Sequence, residues 1–129
     1  QMLFDKSTEF GITNGLGLIP GQVQRLERFD GSPEKLPHVS WNGISTVRMS
    51  DWNGTILDSI DSDEDMYFVH SYYAKPLSQS DILSVSRYSG HEYCSTVKRN
   101  NIYGCQYHPE KSAAAGLRII NNFNNICKG

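Results

Sequence analysis

The run CQYHPE, Cys105 to Glu110, places a cysteine, a histidine and a glutamate within six residues. Those are the side chains of a cysteine-based triad: a thiol that attacks, an imidazole that takes its proton, and a carboxylate that orients the imidazole. Pro109 fixes φ and disfavours helix continuation, so the run is predicted to stay extended. Residues i and i+2 of an extended run share a face. Glu110 can then hydrogen-bond one ring nitrogen of His108 and turn the other toward a nucleophile. A surface ion pair at a strand end uses the same two residues without any chemistry, and the motif alone does not separate these readings.

The cysteines are separated from His108 by strand parity. Cys105 lies three residues before His108, and an odd separation puts two strand side chains on opposite faces. Asn100-Asn101 suits a two-residue hairpin turn, because asparagine tolerates positive φ. Such a turn pairs Arg99 with Ile102 and hence Cys94 with Tyr107. Directly paired residues share a face, so Cys94 and Cys105 are predicted on the face of Tyr107, away from His108, unless a bulge intervenes. Cys127 falls near the end of the last predicted helix. All three read as packing residues, and the nucleophile is expected outside this sequence.

Two other chemistries are incomplete. His108-Pro-Glu110 lacks the Pro-Cys-x-x-Cys partner that a zinc deaminase requires, so no metal site is expected. Gly15-Leu-Gly17 is followed by neither the third glycine nor the Gly-Lys-Ser/Thr of phosphate loops, and reads as a tight turn.

The elements that must carry these residues follow from pattern. Residues 1–9 read as the tail of an amphipathic helix, with Met2, Leu3 and Phe4 apolar. The four glycines and a proline of 11–21 mark a loop. A strand is predicted over 22–29, then a turn-rich connection over 29–37 and a short strand in HVSWNGI. Residues 50–66 are polar and acidic, a surface segment with at most a short helix. The aromatic and β-branched run MYFVHSYYA, 66–74, is a buried strand by composition. Strands are predicted over 82–88, 92–99 and 102–108. The last element, 114–128, is a helix with Leu117, Ile120 and Phe123, together with Ile119 and Ile126, as its apolar stripe. The expected product is β-rich with a helix at each end.

Bulk properties bound the rest. The chain has 129 residues, room for one small domain. A net charge of −2, from 12 basic and 14 acidic residues, offers no electrostatic footprint for nucleic acid or an anionic membrane. No apolar run approaches the ~20 residues of a membrane span, and the start lacks a secretory signal. Three cysteines without CxxC spacing are most simply reduced thiols in a cytoplasm.

Taken in order, QMLF, GLGLIPG, PHVSWNGI, YFVHSYYA, YGCQYHPEKS and GLRIINNF resemble the C-terminal two-thirds of a class I (triad type) glutamine amidotransferase. Within that family, PHVSWN and YFVHSYY point to the glutaminase subunits of imidazole glycerol phosphate synthase. The resemblance implies an α/β, flavodoxin-like fold, present here in part as one domain portion over 1–129. It aligns Gln1 with the last residue of the family's Gly-x-Cys-x-Gly-x-Gln nucleophile elbow, so the elbow cysteine and the oxyanion loop would precede this sequence. By the same resemblance His108 is the general base and Glu110 its orienter. Gln1 and the backbone around His70, Ser71 and Tyr72 would hold glutamine. Trp41, Asn42 and Lys111 would face a (β/α)8-barrel cyclase that receives the ammonia as the other half of a heterodimer. No cofactor is implied. Read from residues alone, YFVHSYY is equally a buried strand and Trp41 equally a core aromatic. Ser40 and the tail HEYCSTVKRNN depart from the pattern, which leaves open an ammonia acceptor in surface-sugar synthesis. A non-catalytic, partner-binding chain is the third alternative.

Overall fold

The computed structural model describes residues 1–28, 31–47 and 51–129. Phe29, Asp30 and Ser50, at the limits of predicted segments, lie outside them. In chain order the strands are β1 (Phe4–Ser7), β2 (Thr13–Asn14), β3 (Ile19–Arg25), β4 (His38–Thr46), β5 (Glu64–His70), β6 (Tyr72–Pro76), β7 (Ile82–Tyr88), β8 (His91–Arg99) and β9 (Ile102–Cys105), followed by helix α1 (Ala113–Lys128). They form two sheets, β2-β1-β3-β6 and β5-β4-β7-β8-β9. The architecture is mixed α/β, mostly strand. No helix among the described residues is long and apolar enough to cross a membrane.

Two apolar clusters hold the sheets. One gathers Leu26, Ile44, Met66, Phe68, Leu83, Tyr93, Tyr107 and Ile119 with residues of the 51–63 segment. The other joins Phe4, Ile19, Val23, Ala74, Cys94 and Val97. The β8–β9 hairpin keeps the register expected of its two-residue turn, from Arg99↔Ile102 to Thr96↔Cys105, with Asn100 at φ +54°.

Four expectations need correction. Residues 1–9 are not a helix: β1 pairs in parallel with β3, Phe4 against Ile19. The backbone of this stretch is satisfied by the glycine loop, with Gly15 N–H donating to Asp5 O at 2.9 Å and Leu16 N–H to Met2 O at 2.8 Å. Three apolar residues are too few to nucleate a helix against such tertiary pairing. Gly15-Leu-Gly17 is the tight turn the sequence suggests, Gly17 lying at φ +64°. A side chain at Gly15 would overlap the Phe4 carbonyl.

The acidic 51–63 segment is not merely surface. It buries Trp52, Ile56, Leu57 and Ile60, and the Trp52 indole N–H donates to Leu83 O at 2.8 Å. The aromatic run over 66–74 is two strands rather than one, broken at Ser71, where the chain passes from the five-stranded sheet to the four-stranded one.

Helix α1 also turns a different face inward. Leu117, Ile120 and Phe123 are exposed, whereas Gly116 and Ile119 are buried. Polar docking sets this rotation. The Asn122 side-chain N–H₂ donates to Ile56 O at 3.1 Å and Asp58 O at 2.8 Å. Gly116 faces the Pro109 carbonyl so closely that a β-carbon would overlap it.

Glycine inside a helix is ordinarily less stable than alanine. At 116 the order is expected to reverse. Gly116→Ala should lower stability by about 1–3 kcal/mol, the usual range for overpacking. Urea unfolding checks this, and a variant as stable as the parent would contradict the close approach.

Candidate active site

His108 stands where β9 has ended and the chain turns toward α1. Its backbone N–H donates to Tyr67 O of β5 at 3.0 Å. Pro109–Lys111 then form a single 3₁₀ turn rather than the predicted extended run. Proline's fixed φ suits the first position of a helical turn, where its missing N–H has no partner to lose. The pairing survives this change of route: His108 Nδ1 lies 2.8 Å from Glu110 Oε1. A carboxylate accepts, so Nδ1 carries the hydrogen and Nε2 keeps its lone pair facing away from Glu110. The Glu110 carboxyl is held below the usual carboxylate range by its own backbone N–H and by His108.

Ser112, which the sequence reading passed over, pins this turn. It is buried, its hydroxyl donates to His108 O at 2.6 Å, and the same oxygen accepts from Tyr67 N–H at 3.0 Å. One hydroxyl thus ties His108 to β5. A serine between a turn signal and a helix is the sequence cue for such a local bond.

The three cysteines lie in different surroundings. Burial, aided by the Glu110 charge, pushes the Cys105 thiol up to about 11, and burial pushes the Cys94 thiol up to about 12. Both are therefore held as neutral thiols, the less nucleophilic form. Cys127 is exposed on α1.

Gln1, just before β1, meets Tyr72 at the start of β6 and Gln106 just after β9. The Gln1 amide N–H₂ donates to Tyr72 O at 2.9 Å and to Gln106 Oε1 at 3.2 Å. Neither bond uses Gln1 Oε1. Gln106 lies two residues before His108 and was not singled out from sequence. Ser71 O accepts from Leu26 N–H at 2.8 Å, which anchors the junction between β5 and β6. The His70 ring is buried, and its Nδ1 lies 2.7 Å from Tyr72 O. It meets the site only through that carbonyl.

The outward face of β4 and β5 adjoins the turn that carries His108. Cross-strand pairs Val39↔Val69 and Trp41↔Tyr67 leave Val39, Trp41 and Val69 on the surface, Trp41 being 50% exposed. This removes the core reading of Trp41. Its ring meets Tyr67 edge-on at 6.0 Å, and Lys111 Nζ sits 5.9 Å from the centre of the Tyr67 ring. Asn42 does not join this patch. Its side chain lies on the opposite face of β4 and donates to Arg87 O at 2.8 Å. Strand alternation separates 41 from 42.

With this geometry in place, comparison with known proteins is direct. The class-I glutamine amidotransferase family matches residues 21–126, and the chain belongs to it. Among individual proteins, the chain is similar to imidazole glycerol phosphate synthase subunit HisH 1 of Legionella pneumophila (strain Lens), 44% identical over 129 residues covering 98% of this chain and 61% of the relative. The subunit HisH of Geobacillus thermodenitrificans (strain NG80-2) is 41% identical over 131 residues, covering 100% of this chain and 59% of the relative. That of Chlorobium luteolum (strain DSM 273 / BCRC 81028 / 2530) is 39% identical over 123 residues, 95% and 58% respectively. The chain thus spans about three-fifths of the length of these curated relatives.

A pH dependence follows from the buried histidines beside Tyr72. Burial lowers both His38 and His70 to about 4; the His70 ring adds to the effect at His38, while the Glu34 charge opposes it at His38 and the Tyr72 carbonyl opposes it at His70. An unfolded histidine titrates near ~6.5. The unfolded chain therefore binds more protons between these values, and stability falls as pH drops from about 6.5 toward 4. Above that window the contribution is fully present. Between pH 7.5 and 5.5 the loss should be at most about 1.4 kcal/mol per histidine. Urea midpoints at the two pH values test it, and a flat dependence would mean that the pair is protonated in the fold.

Proposed function

We propose that these 129 residues are the C-terminal part of a glutaminase domain, and that the whole protein is the glutaminase subunit of an imidazole glycerol phosphate synthase. It hydrolyses glutamine through a Cys-His-Glu triad and passes ammonia to a (β/α)8 cyclase in histidine biosynthesis. His108 and Glu110 are the base and its orienter. The supporting observation is the 2.8 Å contact between His108 Nδ1 and Glu110 Oε1, which leaves Nε2 as the free proton acceptor.

The nucleophile in this reading is none of the three cysteines here and comes from outside the 129 residues. His108 Nε2 takes the thiol proton, and the thiolate attacks the side-chain amide carbon of glutamine. The tetrahedral oxyanion is held by backbone N–H groups. Its collapse breaks the C–N bond as His108 returns the proton to the leaving ammonia. Water then hydrolyses the glutamyl thioester to glutamate. Gln1 and the backbone of His70, Ser71 and Tyr72 hold the amino-acid end of the substrate.

The partner docks on the patch of Val39, Trp41, Tyr67, Val69 and Lys111. An aromatic group presented beside apolar and cationic neighbours suits an interface hot spot. The patch adjoins the base through the Tyr67 carbonyl, so a protein seated there would cover the place where ammonia is released. Asn42, which faces inward, contributes by supporting β4 rather than by contact.

Two outcomes test this reading. The 129-residue chain alone should release no glutamate from glutamine, and in the longer protein His108→Ala should lower turnover by ~10²–10⁴-fold, the usual span for a general base. Glutamate release measures both; near-normal turnover in the variant would remove His108 from the triad. Trp41→Ala in the longer protein should weaken binding to the barrel partner by at least ~30-fold, as expected of a tryptophan hot spot worth ~2 kcal/mol or more. A binding titration reads this, and unaltered affinity would move the docking surface elsewhere.

A further inference from the structure

A line of polar contacts crosses the core from β4 to the Tyr72 carbonyl. Ser40 Oγ lies 2.9 Å from His38 Nε2, His38 Nδ1 lies 3.2 Å from His70 Nε2, and His70 Nδ1 lies 2.7 Å from Tyr72 O. His38 is fully buried and His70 nearly so. The His38 ring is stacked on Tyr88 at 3.7 Å and on Phe68 at 5.1 Å. Such packing leaves no room for the rings to turn.

The acceptor at the end sets the direction of every bond. A carbonyl oxygen only accepts, so His70 Nδ1 must carry hydrogen. In a neutral ring His70 Nε2 then holds a lone pair, and the facing His38 Nδ1 must donate to it. His38 Nε2 is left as an acceptor, so the Ser40 hydroxyl donates. Tyr93 Oη, 3.3 Å from His38 Nδ1, does not reverse this order. A Tyr93 proton on His38 Nδ1 would set two lone pairs against each other at His70. The alternative polarity needs an imidazolium at His70. Among the described residues the groups packed around the pair supply no carboxylate contact to hold one: the rings of Tyr88, Phe68 and Tyr93 face it, and Glu34 acts on His38 only through its charge.

We propose that Ser40, His38 and His70 form a one-directional hydrogen-bond relay that fixes the Tyr72 carbonyl against Gln1, which makes His38 and His70 positioning residues of the amino-acid site. The positioning role rests on the glutaminase reading above; the relay itself does not. Tyr72 O accepts from both His70 and Gln1. The Gln1 amide therefore has its nitrogen turned inward by a carbonyl that the relay holds in place. Its remaining oxygen is the polar atom presented to a substrate ammonium group. Ser40 is the residue that departs from the family pattern, and it supplies the first donor.

Two measurements separate the relay from its role. Nitrogen-15 NMR of the histidine rings in this chain at neutral pH should find both His38 and His70 as Nδ1–H tautomers; an Nε2–H form of either overturns the relay. In the longer protein, His70→Phe removes the last donor while keeping an aromatic ring. It should raise KM for glutamine about 5- to 10-fold, the worth of one hydrogen bond, with kcat within about twofold. His70→Asn, whose amide can reach where Nδ1 was, should recover most of the loss. A fall in melting temperature with KM unchanged in both variants would make His70 merely structural and overturn the positioning role. Wild-type protein that hydrolyses no glutamine overturns that role together with the glutaminase reading, and the tautomers alone then decide whether the relay exists.

Discussion

Seven consecutive residue pairs between β4 and β5, from His38↔His70 to Ile44↔Glu64, sort the side chains that surround His108. Alternation sends His38, Ser40, Asn42 and Ile44 to one side and Val39 and Trp41 to the other. One side carries the histidine pair and the core; the other is the exposed aromatic patch. A slip of β4 by a single residue would exchange its two sides, placing His38 in water and Trp41 among the core rings. The turn that bears His108 is fastened to β5 twice, through the Tyr67 carbonyl and through Ser112 on the Tyr67 N–H. The position of His108 is therefore tied to that of β5.

The same change of route bears on the two cysteines nearest His108 in sequence and sheet. Cys105 is only three residues from His108, yet it sits with Tyr107 and Cys94 among buried groups whose protonated forms the low-dielectric surroundings favour. Tyr107 is itself held by Thr96, its hydroxyl 2.9 Å from the threonine oxygen. Proximity in sequence and proximity in chemistry diverge here because the chain changes direction after Cys105. The backbone of Gln106 still bonds to Ser95, while that of His108 has already crossed to β5.

What could be read from the sequence was whatever local pattern determines. The Asn100-Asn101 turn and the hairpin register it implies were legible, as were the glycine turn at 15–17 and the pairing of His108 with Glu110. What escaped depended on partners far along the chain. Met2-Leu3-Phe4 has no intrinsic reason to be a strand until β3 and the glycine loop are beside it. The apolar residues of 51–63 are diluted by acidic ones, although the spacing of Trp52, Ile56, Leu57 and Ile60 was visible. In α1 the strongest apolar stripe is not the buried one, because Asn122 and Gly116 decide the rotation and neither registers as hydrophobic. Ser112 and Gln106 were hidden for a simpler reason. A small polar side chain reveals its role only through the atoms it meets.

The junction at Ser71 bears on how such a chain can vary in length. A single residue separates the end of β5 from the start of β6, and these strands belong to different sheets. Adding one residue there would leave each strand's own composition intact. It would nevertheless invert which side chains of β6 meet β3 relative to those that β5 presents to β4. The exposed stretch around Phe10 and Gly11 carries no such constraint. Descendants of this chain are thus free to gain and lose residues at that rim, whereas the step between the two sheets admits substitution but not a change of count.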